Sequence, residues 1–186
     1  APSSTNPRNI LEDEKNSTNT LIAGMKIKPV KNWVIFWDVE KGSADNVFSR
    51  LENYKFTNFR IRSKVTVDKF SFNFSAVAKD NNNPSQTPTA LNFGTDIKNY
   101  FYSGSVEWAP MDKVQISSGY TYHHLTADTP IIVPVDGVSR LGFSQFYMRD
   151  HYGYLDVSAK PLKRLSLYGS LKINRDKGQS NRFSTL

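Results

Sequence analysis

The chain contains no cysteine. Disulfide frameworks, thiolate metal sites, covalently attached c-type haem and cysteine nucleophiles are thereby excluded. Nor does any apolar run approach the ~18 residues that a membrane-crossing helix needs, so helical membrane bundles are excluded as well. Lys and Arg number 24 against 17 Asp and Glu, a net charge of +7, but the basic residues are scattered and no block of five or more occurs. Without a clustered phosphate footprint, nucleic acid is not an expected partner. Gly-x-Ser-x-Gly elbows and Gly-rich phosphate loops are missing, and the three histidines are His123, His124 and His151. A hydrolytic triad would have to be assembled from His151, Ser144 and Asp150, and no enzymatic activity is expected. The opening residues Ala1-Pro2-Ser3-Ser4 have neither an initiator Met nor an apolar signal core, so a processed or excised segment is expected.

What the 186 residues do have is aromatics: 12 Phe, 9 Tyr and 3 Trp. A disordered basic tail would lack them. Apolar residues almost never recur at helical spacing; alternation of period two returns again and again, which points to an all-β chain. In Phe59–Val67 one face reads Phe, Ile, Ser, Val, Val and the other Arg, Arg, Lys, Thr. After Asp68-Lys69, the stretch Phe70–Ala78 separates Phe, Phe, Phe, Ala, Ala from Ser, Asn, Ser, Val. A two-residue turn there pairs Val67 with Phe70 and Val65 with Phe72, keeping both apolar sets on one face.

Four such hairpins are expected, with turns near 30–32, 68–69, 109–113 and 160–164, all within residues 20–176. Their apolar faces run about nine to eleven residues, the length of a tilted strand crossing a bilayer. The returning connections, 41–54, 80–98 and 126–144, are long and rich in Asn, Asp, Ser, Thr, Pro and Gly. Residues 1–19 and 177–186 read as a loop or flexible segment and a tail. Short turns on one rim and long loops on the other predict an antiparallel up-and-down transmembrane β-barrel, about eight strands in this segment, with periplasmic turns and extracellular loops. In that orientation both ends of the segment lie outside the cell, so eight strands of a larger barrel are expected.

Aromatic positions give an independent check, because barrel aromatics gather at the two interfaces. Trp33, Phe70 and Trp108 flank short turns, while Tyr100, Tyr102, Tyr120 and Tyr122 gather at the long-loop end, with Tyr102 expected opposite Tyr120 and Tyr100 opposite Tyr122. The other face carries Lys26, Lys28, Arg60, Arg62, Lys64, Glu107 and Lys172. These are candidate lumen residues, either a cationic lining that favours anions or a network paired with Asp38, Glu40, Glu107 and Asp156. His123 and His124 are adjacent in a strand, point to opposite faces and cannot chelate one ion. Asp128, Asp136 and Asp176 fall in expected loops without the dense spacing of a calcium loop, so neither metal nor cofactor is expected.

The hairpins Val106–Val114 and Val157–Tyr168 carry turns of the form apolar-Pro-x-Lys/Arg-apolar, and here the chain resembles the large outer-membrane barrels of Gram-negative bacteria. It is most similar to the porin-like barrels that sheath multihaem cytochromes in electron conduits, over about Asn19 to Lys177. The resemblance implies a bacterial outer-membrane location, lipid around the wall, and a multihaem cytochrome from a separate chain as a candidate partner. Two functions stand side by side: a porin-like pore or sheath, and a soluble β-sandwich-type binding module that uses its Tyr-rich surface. A lipid-facing surface needs detergent, and a soluble module does not.

Overall fold

The structure, a computed structural model, describes residues 16–45, 53–83 and 94–181. Eight strands follow one another: β1 (Thr18–Val30), β2 (Trp33–Ala44), β3 (Lys55–Val67), β4 (Phe70–Asn83), β5 (Thr95–Met111), β6 (Val114–Val135), β7 (Val138–Leu162) and β8 (Leu165–Asn181). They form a single sheet in sequence order, every neighbour antiparallel. The sheet is not closed into a barrel, since β1 and β8 each pair on one side only. No second layer covers the sheet among the described residues.

Tight turns set the register. Val67 pairs with Phe70 around Asp68-Lys69, with Asp68 in the left-handed region at φ 49°, a conformation Asp tolerates better than bulky residues do. The other three short turns are also two residues long, Lys31-Asn32, Asp112-Lys113 and Lys163-Arg164, each preceded by a β-bulge that contains a proline: Pro29, Pro110 and Pro161. Proline cannot donate to the ladder, so the strand places it where an extra residue is already unpaired. Three of these four turns are then tied to the strand that follows their hairpin. Asn32 O accepts from Thr66 N at 2.9 Å, Lys69 O from Ala109 N at 2.9 Å, and Lys113 O from Lys160 N at 2.7 Å.

The bulge at Pro110 corrects one expected pairing. Tyr102 faces Tyr122, Tyr100 faces His124, and Tyr120 faces Gly104. A five-residue turn over 109–113 would give the other pairing, but β5 continues through the bulge to Met111. The displacement is two residues, so every side chain keeps its face.

A second correction concerns 126–144, expected as a long loop. It is strand on both sides of a two-residue turn, Asp136-Gly137, at φ 52° and 76°. Two successive positive φ values are what a primed hairpin turn requires, and Asp-Gly is among the sequences that supply them. Asp128 and Asp176, placed in loops by the sequence pattern, therefore lie in β6 and β8. Strand β8 also runs on to Asn181, past the expected start of a tail at 177, and β1 begins at Thr18. Of the other two long connections, 46–52 and 84–93 lie outside the described residues, as do 1–15 and 182–186.

Residues directly opposite in an antiparallel ladder share a face, so the register sorts the side chains into two sets. One face carries, in a single row across seven strands, Trp33, Val65, Phe72, Val106, Ser118, Leu155 and Leu171. Almost none of this apolar surface is covered. Among the described residues, Ala44 and Phe56 are the only buried apolar side chains, whereas Phe72, Phe74, Leu167 and Leu171 are 47%, 48%, 54% and 58% exposed. The described residues form a sorted apolar face with no core beneath it.

Candidate functional site

The candidate site is the pair of faces. On the polar face, β2 and β3 bring Arg60 against two carboxylates: its Nε donates to Asp38 Oδ1 at 2.6 Å, and its Nη2 lies 3.3 Å from Glu40 Oε2. Asn58 Nδ2 donates to the same Glu40 oxygen at 3.1 Å. The two other cations of β3 are differently placed. Arg62 lies opposite Phe36 and Ser75, its guanidinium 5.8 Å from the Phe36 ring centre, and Lys26 Nζ approaches that ring to 5.0 Å. Lys64 faces Val34 and Asn73. Among the described residues, the ion pairs with Asp38 and Glu40 are those of Arg60.

The remaining expected partners are engaged elsewhere. Asp156 Oδ1 accepts from Ser170 Oγ at 2.6 Å and from Tyr168 Oη at 3.0 Å. Glu107 lies opposite Ser71 and Ser117, and Lys172 opposite Tyr154, all on the polar face. Lys28 sits beside Pro29 in the bulge of β1. Charge is segregated along this face. Cations dominate β1 to β4 through Lys26, Arg60, Arg62, Lys64 and Lys79; carboxylates dominate β5 to β8 through Glu107, Asp150, Asp156 and Asp176. The lining is therefore not uniformly cationic. A recess of about 450 Å³ is lined by Phe36, Arg62, Lys64, Asn73, Ser103 and Tyr154. Strands β2 and β7 would stand about 24 Å apart in a flat sheet, so their sharing one recess makes the polar face concave at this height.

On the apolar face the expected aromatics all appear together by register: Trp33, Phe70 and Trp108 toward the short turns, Tyr100, Tyr102, Tyr120 and Tyr122 toward the other end. Phe70 and Trp108 stack with centroids 5.7 Å apart and planes 1° apart. Trp33 Nε1 donates to Ser63 Oγ at 2.9 Å. At the far end the rings form a continuous patch that extends beyond the four expected tyrosines. Tyr122 stacks on Tyr102 at 6.3 Å and meets His151 at 5.0 Å, and Tyr120 Oη lies 2.6 Å from His151 Nδ1. His124 adds contacts with Tyr100, Tyr122 and Tyr147. Continuing the alternation through His151 and Tyr147 would have found these members. A larger recess, about 900 Å³, opens near this end of β1 to β5 and includes Leu21, Lys41, Phe59, Ala78 and Tyr100.

The two adjacent histidines do point apart. His123 Nε2 meets Asn99 Oδ1 at 2.8 Å on the polar face, and His124 sits among the tyrosines on the other. No group of three His, Cys, Asp or Glu side chains able to hold a metal comes together among the described residues. No family model, curated protein or solved structure matches this chain.

Proposed function

We propose that this sheet is part of the wall of a bacterial outer-membrane β-barrel, a porin-like pore or a sheath around a partner protein, with its apolar face in lipid and its polar face toward the lumen. The observation that carries the reading is an apolar face continuous over all eight strands with no layer against it among the described residues. In water such a surface would be an aggregation or docking liability far larger than the few hundred Å² common on monomers.

The outline of the face adds support. Its upper edge lies at Ile173 on β8; following the paired row through Gly153, Tyr120, Gly104, Phe74, Ser63 and Ile35 leads to Ile27 on β1. On β1, however, apolar residues continue six positions further, from 27 to Leu21. At ~3.3 Å per residue and ~4.7 Å per strand, that is a climb of about 20 Å over about 33 Å, a slant near 30°. A level membrane band drawn across strands tilted by some 35–45° has this kind of slant.

Cysteine substitution with a membrane-impermeant thiol reagent tests the assignment in reconstituted protein. Cysteines at Arg60, Arg62, Lys64, Asn73 and Lys172 are expected to label, and those at Phe72, Phe74, Ile116, Leu167 and Leu171 to stay protected. Equal labelling of the two sets would reject the wall.

Selectivity gives a separate measurement. Arg60 is neutralised locally by Asp38 and Glu40, so the contribution of β3 to the field on permeating ions comes from Arg62 and Lys64. A charge about 8 Å from the ion path contributes roughly 0.5 kcal/mol in water, reduced further by salt. Replacing both by Gln is expected to shift the anion-to-cation permeability ratio about twofold to fivefold toward cations in planar bilayers. Arg60→Gln alone is expected to shift it less. A conducting channel that does not respond would place Arg62 and Lys64 away from the path, and absence of conductance would favour the sheath.

A further inference from the structure

Above the apolar band on β7 and β8, the same face turns abruptly basic. Arg149 lies directly opposite Lys177 in one cross-strand row, and Arg175 lies opposite His151 in the row beneath. The next rows down are Gly153 with Ile173 and Leu155 with Leu171, fully apolar. Opposed Cβ atoms in such rows are about 4.5–5.5 Å apart, and like charges placed opposite one another are destabilising unless something neutralises them.

Nothing in the described residues does so. The ion pairs formed among them belong to Arg60. The carboxylates nearest in sequence, Asp150 and Asp176, face each other on the opposite side of the sheet. Lys98, at the same margin of the apolar face on β5, stands in contrast, because Asp80 lies directly across from it. Edge protection explains charges on an unpaired strand such as β8, but Arg149 is on β7, which is paired on both sides. Its guanidinium is also held, 5.1 Å from the ring centre of Tyr147 at the border of the aromatic patch.

We propose that Arg149, Arg175 and Lys177 form a binding site for the phosphate of anionic lipid headgroups at the margin of the apolar face away from the short turns; this rests on the membrane-wall reading. The chemistry fits in kind and height. Two guanidinium forks and an ammonium supply charge-assisted donors to phosphate oxygens. The trio begins where the hydrocarbon-like residues end, beside His124 and Tyr147, and interfacial aromatics mark headgroup level. Below the phosphate, acyl chains would lie along Leu155, Leu171 and Ile173, which are exposed.

The experiment uses the full chain refolded into vesicles of phosphatidylcholine alone or mixed with phosphatidic acid. Lipid retained on the protein after gentle extraction is counted by mass spectrometry of the intact complex. Phosphatidic acid is expected to be retained about tenfold or more over phosphatidylcholine, given a contribution of order one kcal/mol from each cation near an anionic surface. The triple variant Arg149→Gln, Arg175→Gln, Lys177→Gln should bring the ratio near unity while still entering phosphatidylcholine vesicles, and Lys98→Gln should leave it unchanged. Displacement of the lipid by inorganic phosphate at low concentration would assign the site to free phosphate and overturn the lipid proposal. Insertion without headgroup preference would overturn this site and leave the wall standing; failure to enter either vesicle would overturn both.

Discussion

Phe74→Arg is expected to cost about 2–4 kcal/mol of folding stability in a bilayer, whereas Asn73→Arg, one residue away, costs less than about 1 kcal/mol. Phe74 lies in the middle of its strand's apolar run, between Ser63 and Gly104 in the row, and is 48% exposed with no protein cover. An arginine there has hydrocarbon as its solvent and too great a distance to either interface to reach water without deforming the wall. Asn73 points the other way, near Ser105 Oγ and opposite Lys64. A cation added there stays hydrated and pays only a like-charge repulsion. Urea titrations of both variants in vesicles, followed by tryptophan fluorescence, measure the difference. Equal costs would mean that the apolar face is not in lipid.

Gly119→Ala and Gly42→Ala are each expected to destabilise the fold by about 1–3 kcal/mol, the range for overpacking a filled site. Both glycines lie on the polar face beneath an aromatic ring from the neighbouring strand. A Cβ on Gly119 would stand 2.7 Å from Cζ of Tyr154, and one on Gly42 would stand 2.6 Å from Cε1 of Phe56. Phe56 is 5% exposed, so its ring has little room to retreat, while the Tyr154 ring borders the recess described above. The larger loss is therefore expected at Gly42. Gly104→Ala and Gly169→Ala serve as controls: the nearest heavy atom to a Cβ on Gly104 is 4.0 Å away and none lies within 4 Å on Gly169. These controls should change stability by no more than about 0.5 kcal/mol in either direction. Losses of the same size at all four sites would show that strand flexibility, not the ring contacts, sets the cost.

Much of this architecture was legible because alternation is a property of consecutive residues. Once Val67 is paired with Phe70 across Asp68-Lys69, the whole of β3 and β4 follows, including Lys64 opposite Asn73 and Arg62 opposite Ser75. What alternation cannot report is the exact strand end. Prolines at 110 and 161 look like turn residues, yet each lies inside a strand within a bulge, and reading Pro110 as turn moves the tyrosine pairs by two residues. Polar composition misled in the same way over 126–144, where Thr, Asp and Pro suggested a loop although Asp136-Gly137 is itself a hairpin signal. The candidate site divides along the same line. Membership of each face could be read from odd and even positions, but the choice of Arg60 rather than Arg62 as partner of Asp38 depends on cross-strand register between β2 and β3, which are joined through residues whose length and composition give no turn geometry.

The unpaired outer sides of β1 and β8 carry a constraint of parity. Successive strands alternate in direction, so the first and the eighth run opposite ways, and the two open sides could meet each other directly as antiparallel neighbours. Inserting one further up-and-down strand between them would force a parallel pair on one side of it; inserting two would not. Any wall that joins these edges through antiparallel neighbours alone therefore gains strands in pairs, and its total is even.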